Sequence, residues 1–200
     1  MQISLRKLFD WFPALHGILL AKDGSEFDSL LEQYIEQCVI GMEAEAHHLH
    51  PDSEEKLSAF LAASLRLPGL DVRREGYTNG RVDLTIRQEA LLGGHVRLAE
   101  AKIYKGPAYH TEALQQLIKR YSTGRAPTGY VIEYFKQPGI ETLVKKLRDH
   151  ADGDKPVQQR GETADHQMKW AYLSLHEHDS DALLRVVHVN INLNRPESFR

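Results

Sequence analysis

The sequence predicts a mixed α/β (α+β) fold rather than a helical bundle or a β-sandwich. Segments with apolar residues three and four positions apart, typical of helices, alternate with short segments of period-two hydrophobicity, typical of strands. Turns containing glycine or proline separate them. The predicted order is therefore helix, helix, three strands, helix, strand, helix and a closing hairpin.

Residues 1–50 are predicted to form a helical N-terminal extension. Ser25, followed three positions later by Asp28, is close to a capping box and marks the start of its clearest helix. The apolar stripe of that helix consists of Phe27, Leu30, Leu31, Tyr34, Ile35 and Cys38.

A run of histidines ends this helical pattern. His47, His48 and His50 lie close enough in sequence to suggest metal ligands. No matched second pair of ligands accompanies them. A solvated helix end or loop is therefore the favoured interpretation.

A second helix is predicted from about Glu54 to Leu67. Asp52 or Ser53 can cap it, and Pro68-Gly69 ends it. Glu54 lies at the edge of the buried face, although an acidic residue in a first turn usually only complements the helix dipole. The predicted stripe consists of Leu57, Phe60, Leu61, Ser64 and Leu65.

The rest of the chain is predicted to alternate between strands and helices. Residues 51–150 would form the core of the domain, and 151–200 a loop plus a C-terminal hairpin packed on it. The predicted elements are strands at 71–75, 82–87 and 95–103, a helix at 109–122, a strand at 129–135, a helix at 140–150, an exposed loop at 151–166, and a hairpin of 168–177 with 183–193.

Composition places few limits on function. The net charge of −3 provides no global basic field for a polyanion. The single cysteine, Cys38, excludes an internal disulfide and fits a reducing compartment. The most apolar segment, Trp11 to Ala21, is too short to span a bilayer and lacks a convincing cleavage site. A cytoplasmic location is the resulting expectation.

Charged residues interrupt two neighbouring predicted strands. Glu100 and Lys102 share one face of their strand because side chains alternate, and Asp83 interrupts the strand before it. If the strands pair, two carboxylates and one ammonium converge, and carboxylates from different strands are suitable ligands for Mg²⁺ or Mn²⁺. The alternative is a surface ion pair on an edge strand. Spacing alone leaves both interpretations open.

The order of these motifs resembles the PD-(D/E)XK restriction-endonuclease-like superfamily, in the form seen in bacterial defence nucleases. The resemblance covers about Ser53 to Phe135: a helix beginning Ser-Glu-Glu, a Gly-Arg-x-Asp strand and an apolar Glu-x-Lys strand. It implies a restriction-endonuclease-like core within 51–150, with a central mixed sheet flanked by helices. It also implies that Asp83, Glu100 and Lys102 form the metal and hydrolysis centre.

The resemblance extends to residues outside that trio. It implies that Glu54 joins the metal ligands and that Gln116, on the following helix, points toward the site. Members with a Gln-x-x-x-Tyr signature carry tyrosine where this chain has Arg120, with Tyr121 next to it. The roles of Arg120 and Tyr121 therefore stay open.

The implied activity is Mg²⁺- or Mn²⁺-dependent hydrolysis of phosphodiester bonds by a metal-activated water. DNA is favoured over RNA as the substrate, in prokaryotic or phage-related antiviral defence, with a homodimer or a larger defence complex as the expected assembly. A catalytically inactive scaffold with the nuclease fold is the alternative, as is an RNA-directed or toxin nuclease.

Several basic and aromatic residues follow the Glu-x-Lys strand. Lys105, His110, Lys119, Arg120 and Arg125 would fit a phosphate backbone, or they would only solubilise a helix face. Tyr104 and Tyr109 could stack on bases, although packing is favoured.

Two polar segments near the C-terminus are expected to face solvent. The run from His176 to Asp179 is placed at a predicted hairpin turn. His188 and Asn190 alternate with apolar residues on the last strand, which favours a solvated face for both.

Overall fold

The computed structural model describes residues 17, 18, 20–77, 81–88 and 94–194. Residues 1–16, most of the Trp11 to Ala21 segment and Gly80 of the Gly-Arg-x-Asp motif lie outside the described residues. The helices are α1 (Gly24–Ala44), α2 (Ala46–Leu49), α3 (Glu54–Ser64), α4 (Pro107–Gln115), a π-helix that continues α4 (Gln116–Tyr121), and α5 (Ile140–Asp154). The strands are β1 (Leu70–Tyr77), β2 (Arg81–Gln88), β3 (Val96–Ile103), β4 (Thr128–Phe135), β5 (Ala164–Asp165), β6 (Tyr172–Glu177) and β7 (Leu183–Asn192).

One seven-stranded sheet contains all the described strands, in the order β1-β2-β3-β4-β7-β6-β5. The pairs β3–β4 and β4–β7 are parallel, and β1–β2, β2–β3, β7–β6 and β6–β5 are antiparallel. The predicted mixed α/β class with a central mixed sheet is thereby confirmed. The closing hairpin is integral to this sheet, because β7 pairs with β4 along eight residues.

Helices pack on both faces of the sheet. The larger core combines α1, α2 and α3 with one set of alternate β4 residues, which includes Tyr130, Ile132 and Tyr134. On the opposite face, Val131 packs with α4 and the π-helix, and Phe135 packs with α5. Every residue of β4 is buried, as expected for a strand with parallel neighbours and two covered faces.

The helix boundaries differ from the sequence prediction for local reasons. Asp23, rather than Ser25, caps α1, since its Oδ1 accepts hydrogen bonds from the backbone N–H groups of Ser25 and Glu26 (both 2.9 Å). Helix α5 runs to Asp154, into the predicted loop, because Ala151 continues its buried stripe.

One predicted stripe residue of α3 is misplaced. Phe60 is 41% exposed, and Ser58 is buried in its place. The Ser58 hydroxyl lies 3.2 Å from the Tyr134 hydroxyl of β4, so a hydrogen bond compensates for the burial of two polar groups.

The expectation that His176, His188 and Asn190 face solvent is wrong. His176 is fully buried, and His188 and Asn190 are nearly so. Strand β7 lies between β4 and β6, and helices cover the face on which these residues lie. Hydrogen bonds replace their hydration; the Asn190 side-chain amide, for example, donates to the Trp170 carbonyl (2.6 Å).

No helix in the described part of the chain is long and apolar enough to cross a bilayer.

Candidate active site

The candidate active site forms where β2 and β3 stop pairing. Their register runs from Arg87 opposite Val96 to Leu84 opposite Ala99. At the next position Asp83 inserts its side chain, and its Oδ2 accepts a hydrogen bond from the backbone N–H of Ala101 (2.9 Å). The carboxylate thus takes the place of a strand partner and is fixed to the backbone of β3.

Glu54 joins the site from the first residue of α3. Ser53 caps this helix, with its hydroxyl accepting from the backbone N–H of Lys56 (3.4 Å). The Glu54 Oε2 atom accepts a hydrogen bond from the backbone N–H of Ile103 at the end of β3 (2.9 Å). Two carboxylates from two different elements are therefore fixed to one strand.

The side chains converge on the amine of Lys102. Its Nζ lies 2.7 Å from Glu100 Oε1, 3.6 Å from Asp83 Oδ2 and 3.6 Å from Glu54 Oε1. The Lys102 side chain is only 15% exposed. The four residues emphasised by the sequence prediction, Glu54, Asp83, Glu100 and Lys102, form one cluster.

The cluster has an excess of negative charge. Glu100 is 1% exposed, and its Oε2 has no hydrogen-bond partner among the described residues. The pKa of Glu100 is raised to about 7: burial is the largest cause, the charges of Asp83 and Glu54 also raise it, and Lys102 opposes them. One ammonium therefore does not compensate for three neighbouring carboxylates.

Lys102 is held in its charged form. Burial acts to lower the pKa of Lys102, but the hydrogen bond and charge of Glu100, with Asp83 and Glu54, raise it above its ordinary value. The amine can therefore donate hydrogen bonds and supply positive charge, and it is poorly suited to act as a base.

Two of the carboxylates, Asp83 and Glu54, open onto a small cavity. Its volume is about 110 Å³, and Asp83, Glu54, Glu55, Ser58 and Arg74 line it. Arg74 lies at the rim, 3.8 Å from a Glu55 oxygen. The cavity gives a small ion, a water or a phosphate oxygen access to the carboxylates.

The donor set meets the needs of a divalent cation only in part. Glu54, Asp83 and Glu100 supply the oxygen ligands that Mg²⁺ and Mn²⁺ prefer, and the unpartnered Glu100 oxygen is available to one. Among the described residues, however, these three carboxylates do not form a set of ligand atoms within 4.8 Å of one another. They surround the Lys102 amine instead, so the residues fit a cation that displaces this ammonium from the centre of the cluster.

The predicted glutamine is not part of this cluster. Gln116 is half-buried at the start of the π-helix. Within the described part of the chain, no hydrogen bond or ion pair joins its side chain to Asp83, Glu100 or Lys102.

The predicted basic residues divide into an exposed group and one buried histidine. Lys105, Lys119, Arg120 and Arg125 are exposed. His110 is only 4% exposed and faces the sheet, so its prediction as a phosphate contact is wrong. The helical pattern places it on the buried face of α4, beside Ala113 and Leu114.

Packing explains the two tyrosines. Tyr104 is buried and stacks on Phe135, with ring centroids 4.3 Å apart, so the favoured interpretation is confirmed for it. Tyr109 is half-buried, and the Lys105 amine lies 4.7 Å above its ring.

A chain of buried polar groups lies beneath α4, and its hydrogen-bond directions are determined. The Val157 carbonyl can only accept, so His176 Nδ1 donates to it (2.9 Å) and His176 Nε2 accepts from the Ser174 hydroxyl (2.7 Å). The Ser174 oxygen then accepts from His188 Nε2 (2.6 Å), and His188 Nδ1 accepts from His110 Nε2 (2.9 Å). The tautomers of His176 and His188 follow from this order of donors and acceptors.

This series of hydrogen-bonded side chains ends at Glu133, a residue that the sequence analysis missed. His110 Nδ1 lies 3.1 Å from Glu133 Oε1, and Glu133 is opposite Lys102 in the β3–β4 register. Glu133 is fully buried on the face of the sheet that carries Lys102. The signal was present, because Glu133 interrupts the apolar 129–135 strand just as Asp83 interrupts its own.

Comparison with known proteins adds no relative: the chain matches no protein-family model, no curated protein and no solved structure.

Proposed function

We propose that this protein is a metal-dependent nuclease that hydrolyses DNA phosphodiester bonds. The observation that carries the proposal is the convergence of Glu54, Asp83 and Glu100 on the Lys102 amine, from one helix and two strands. The motif order that resembles PD-(D/E)XK nucleases is an independent support, and the seven-stranded mixed sheet is compatible with a restriction-endonuclease-like core.

Asp83, Glu100 and Glu54 would hold Mg²⁺ or Mn²⁺. When bound, such an ion supplies Lewis-acid polarisation of the phosphate and lowers the pKa of a coordinated water. The buried, partly unsatisfied Glu100 carboxylate supports this assignment, because a cation offers the compensation that its environment lacks.

Lys102 would contribute electrostatic stabilisation. Its ammonium, which contacts Glu100 without metal, would be displaced from the centre of the cluster by the ion and could then orient the attacking water and balance the negative charge that develops on the phosphate. Two backbone N–H groups of β3 fix Asp83 and Glu54, so both carboxylates are positioned before substrate arrives.

The exposed residues Lys105, Lys119, Arg120 and Arg125 would contact the phosphate backbone of the substrate. Such contacts are insensitive to base sequence and weaken with salt. Since one centre cuts one strand, cleavage of a duplex would need a second copy or a larger complex, as expected for a defence nuclease.

Cleavage of supercoiled plasmid by purified protein tests the proposal. We expect nicking that requires Mg²⁺ or Mn²⁺, stops with EDTA, and is lost in Lys102→Ala and in Asp83→Asn. Lys145→Ala is the matched control, because Lys145 is 74% exposed and, among the described residues, its ion pair is with Asp149 on its own helix.

Cleavage that persists in Lys102→Ala would overturn the proposed centre. If metal binds but neither DNA nor RNA is cut, the inactive-scaffold alternative gains support. If RNA alone is cut, the centre stands and the substrate changes.

A further inference from the structure

The corner between α1 and α2 presents a second group of possible metal ligands, whose chemistry differs from that of the carboxylate cluster. Glu45 ends α1 and caps α2, and His47 and His48 follow within α2. All three residues are exposed, and each offers one ligand atom within 4.8 Å of the other two. In the described part of the chain, no other group of three such residues meets this distance.

Backbone hydrogen bonds hold this corner in place. The Glu45 N–H is directed at the carbonyls of Gly41 (3.3 Å) and Met42 (3.2 Å). The Glu45 carbonyl accepts from the N–H groups of His48 (2.9 Å) and Leu49 (3.0 Å). The three donors therefore extend from a backbone whose conformation is fixed before any ion arrives, which lowers the entropic cost of binding.

Buried neighbours anchor the same turn. Ala46 and Leu49, which flank the two histidines in sequence, are both buried in the larger core. This packing directs His47 and His48 away from the core and toward solvent. The rings of His47 and His48 lie with their centroids 3.6 Å apart, so the two imidazoles already share one place on the surface.

The structure changes the ligand set that the sequence suggested. His50, the third histidine of the run, has its Nδ1 atom 2.9 Å from the Leu193 carbonyl, and this contact fixes the C-terminal end of β7 to the corner. Glu45, which the histidine run does not include, takes the third position. The set is therefore two imidazoles and one carboxylate.

That donor set favours a different class of metal ion than the carboxylate cluster does. Imidazole nitrogen suits Zn²⁺, Ni²⁺ and Cu²⁺, whereas Mg²⁺ requires oxygen ligands. Two histidines with one carboxylate are a common set of three protein ligands for Zn²⁺, and exposure to solvent leaves the remaining position to water.

We propose that Glu45, His47 and His48 form a binding site for a divalent transition-metal ion, with Zn²⁺ as the principal ion. The site shares no residue with the proposed nuclease centre and differs from it in the chemistry of its ligands. Its existence does not depend on nuclease activity.

Calorimetric titration of the full chain with Zn²⁺ tests this site, performed in wild type and in an Asp83→Asn background. We expect one saturable Zn²⁺ per chain that persists in Asp83→Asn, since the carboxylate cluster does not form it. His48→Ala and Glu45→Gln should weaken this binding at least about tenfold, because loss of even an outer-shell partner commonly costs that much. All three donors are exposed, so the melting temperature without metal should not change.

His150→Ala is the matched control. His150 also lies beside a carboxylate on a helix, Asp154 at 2.9 Å, but the described residues bring no third donor to it. Its loss should leave Zn²⁺ affinity within about twofold of wild type, a change of less than about 0.5 kcal/mol. Binding of Co²⁺ in place of Zn²⁺ gives a second readout, because the visible absorption bands of Co²⁺ report nitrogen ligands and should disappear in His48→Ala.

Zn²⁺ affinity that is unchanged in both His48→Ala and Glu45→Gln would overturn the proposal. Zn²⁺ binding that is present in wild type but absent in Asp83→Asn would also overturn it, because the ion would then lie at the carboxylate cluster. That outcome would not affect the proposed nuclease function.

Discussion

Lys102 Nζ lies 2.7 Å from one oxygen of the Glu100 carboxylate, while the other oxygen of that carboxylate is buried without a hydrogen-bond partner among the described residues. The Lys102 ammonium therefore compensates only one of the two oxygens of the Glu100 carboxylate. Asp83 and Glu54, which also contact the amine, add negative charge without relieving Glu100. This imbalance leads to two predictions about the metal-free protein.

The first prediction concerns pH. Burial raises the pKa of Glu100 to about 7, from an ordinary 4.5, so the folded state holds a proton that the unfolded state has released. The stabilisation from this group is complete below pH 4.5 and is lost as the pH rises through 7. The loss amounts to about 3 kcal/mol at most. The unfolding free energy of wild type relative to Glu100→Gln, from urea unfolding in EDTA at pH 5.5, 7 and 8, should fall as the pH rises. A difference between the two proteins that does not change with pH would contradict the assignment.

The second prediction concerns Lys102→Ala. Removal of the ammonium leaves three carboxylates without their shared partner, and the metal-free variant should lose about 3 kcal/mol of unfolding free energy. Saturating Mg²⁺ should raise its melting temperature more than that of wild type, because no ammonium competes for the site. Differential scanning fluorimetry measures both. A variant that Mg²⁺ does not stabilise would argue against metal binding by these carboxylates.

The third prediction concerns the buried histidines. Burial and the nearby His110 lower the pKa of His188 well below its ordinary 6.5, and burial lowers that of His176. For groups with a lowered pKa, the stabilisation is present above pH 6.5 and is lost as the pH falls below it. The Glu100 contribution has the opposite sign, so the Glu100→Gln background isolates the histidine effect. Unfolding free energies between pH 7 and 5 should decrease in Glu100→Gln, and the decrease should be smaller when His188→Gln is added.

The fourth prediction concerns the attachment of α1 to the sheet. Arg97 Nε lies 2.5 Å from Asp28 Oδ1, and the other Asp28 oxygen accepts from the Thr128 hydroxyl (2.7 Å). Arg97→Met leaves a buried carboxylate without its charged partner and should cost about 3–5 kcal/mol. Arg73→Met is the control, because Arg73 is 69% exposed in its ion pair with Asp71 and its loss should cost less than about 1 kcal/mol. If Arg97→Met lowers the unfolding free energy in urea no more than Arg73→Met does, the Arg97–Asp28 contact contributes little to the stability of the protein.

The fifth prediction concerns DNA affinity. Lys119 and Arg120 are exposed at the end of the π-helix, and replacement of each by Gln should weaken DNA binding at all sequences. Each replacement should also reduce the slope of log affinity against log salt by about 1. Fluorescence anisotropy in the Lys102→Ala background measures binding without cleavage, and Lys145→Gln serves as the control. An unchanged slope would exclude this helix from the interface.

Much of the candidate site could be predicted from local sequence. Asp83, Glu100 and Lys102 interrupt strands that are otherwise apolar, and period-two alternation alone places Glu100 beside Lys102. The predicted mixed α/β class followed from the alternation of helical and strand patterns. These features depend on neighbours within one element, and such information is contained in a single stretch of chain.

Only the tertiary structure determined which polar residues are buried. His188 and Asn190 have the alternation of a strand with one solvated face, yet β7 lies between β4 and β6, and helices cover both of its faces. Likewise, Glu45 and not His50 completes the trio at the α1–α2 corner, because His50 contacts the Leu193 carbonyl, 143 residues away in sequence. Period and spacing specify which residues share a face within an element. The neighbours that cover that face come from distant parts of the chain, so burial and the partners of each polar group depend on the assembled sheet.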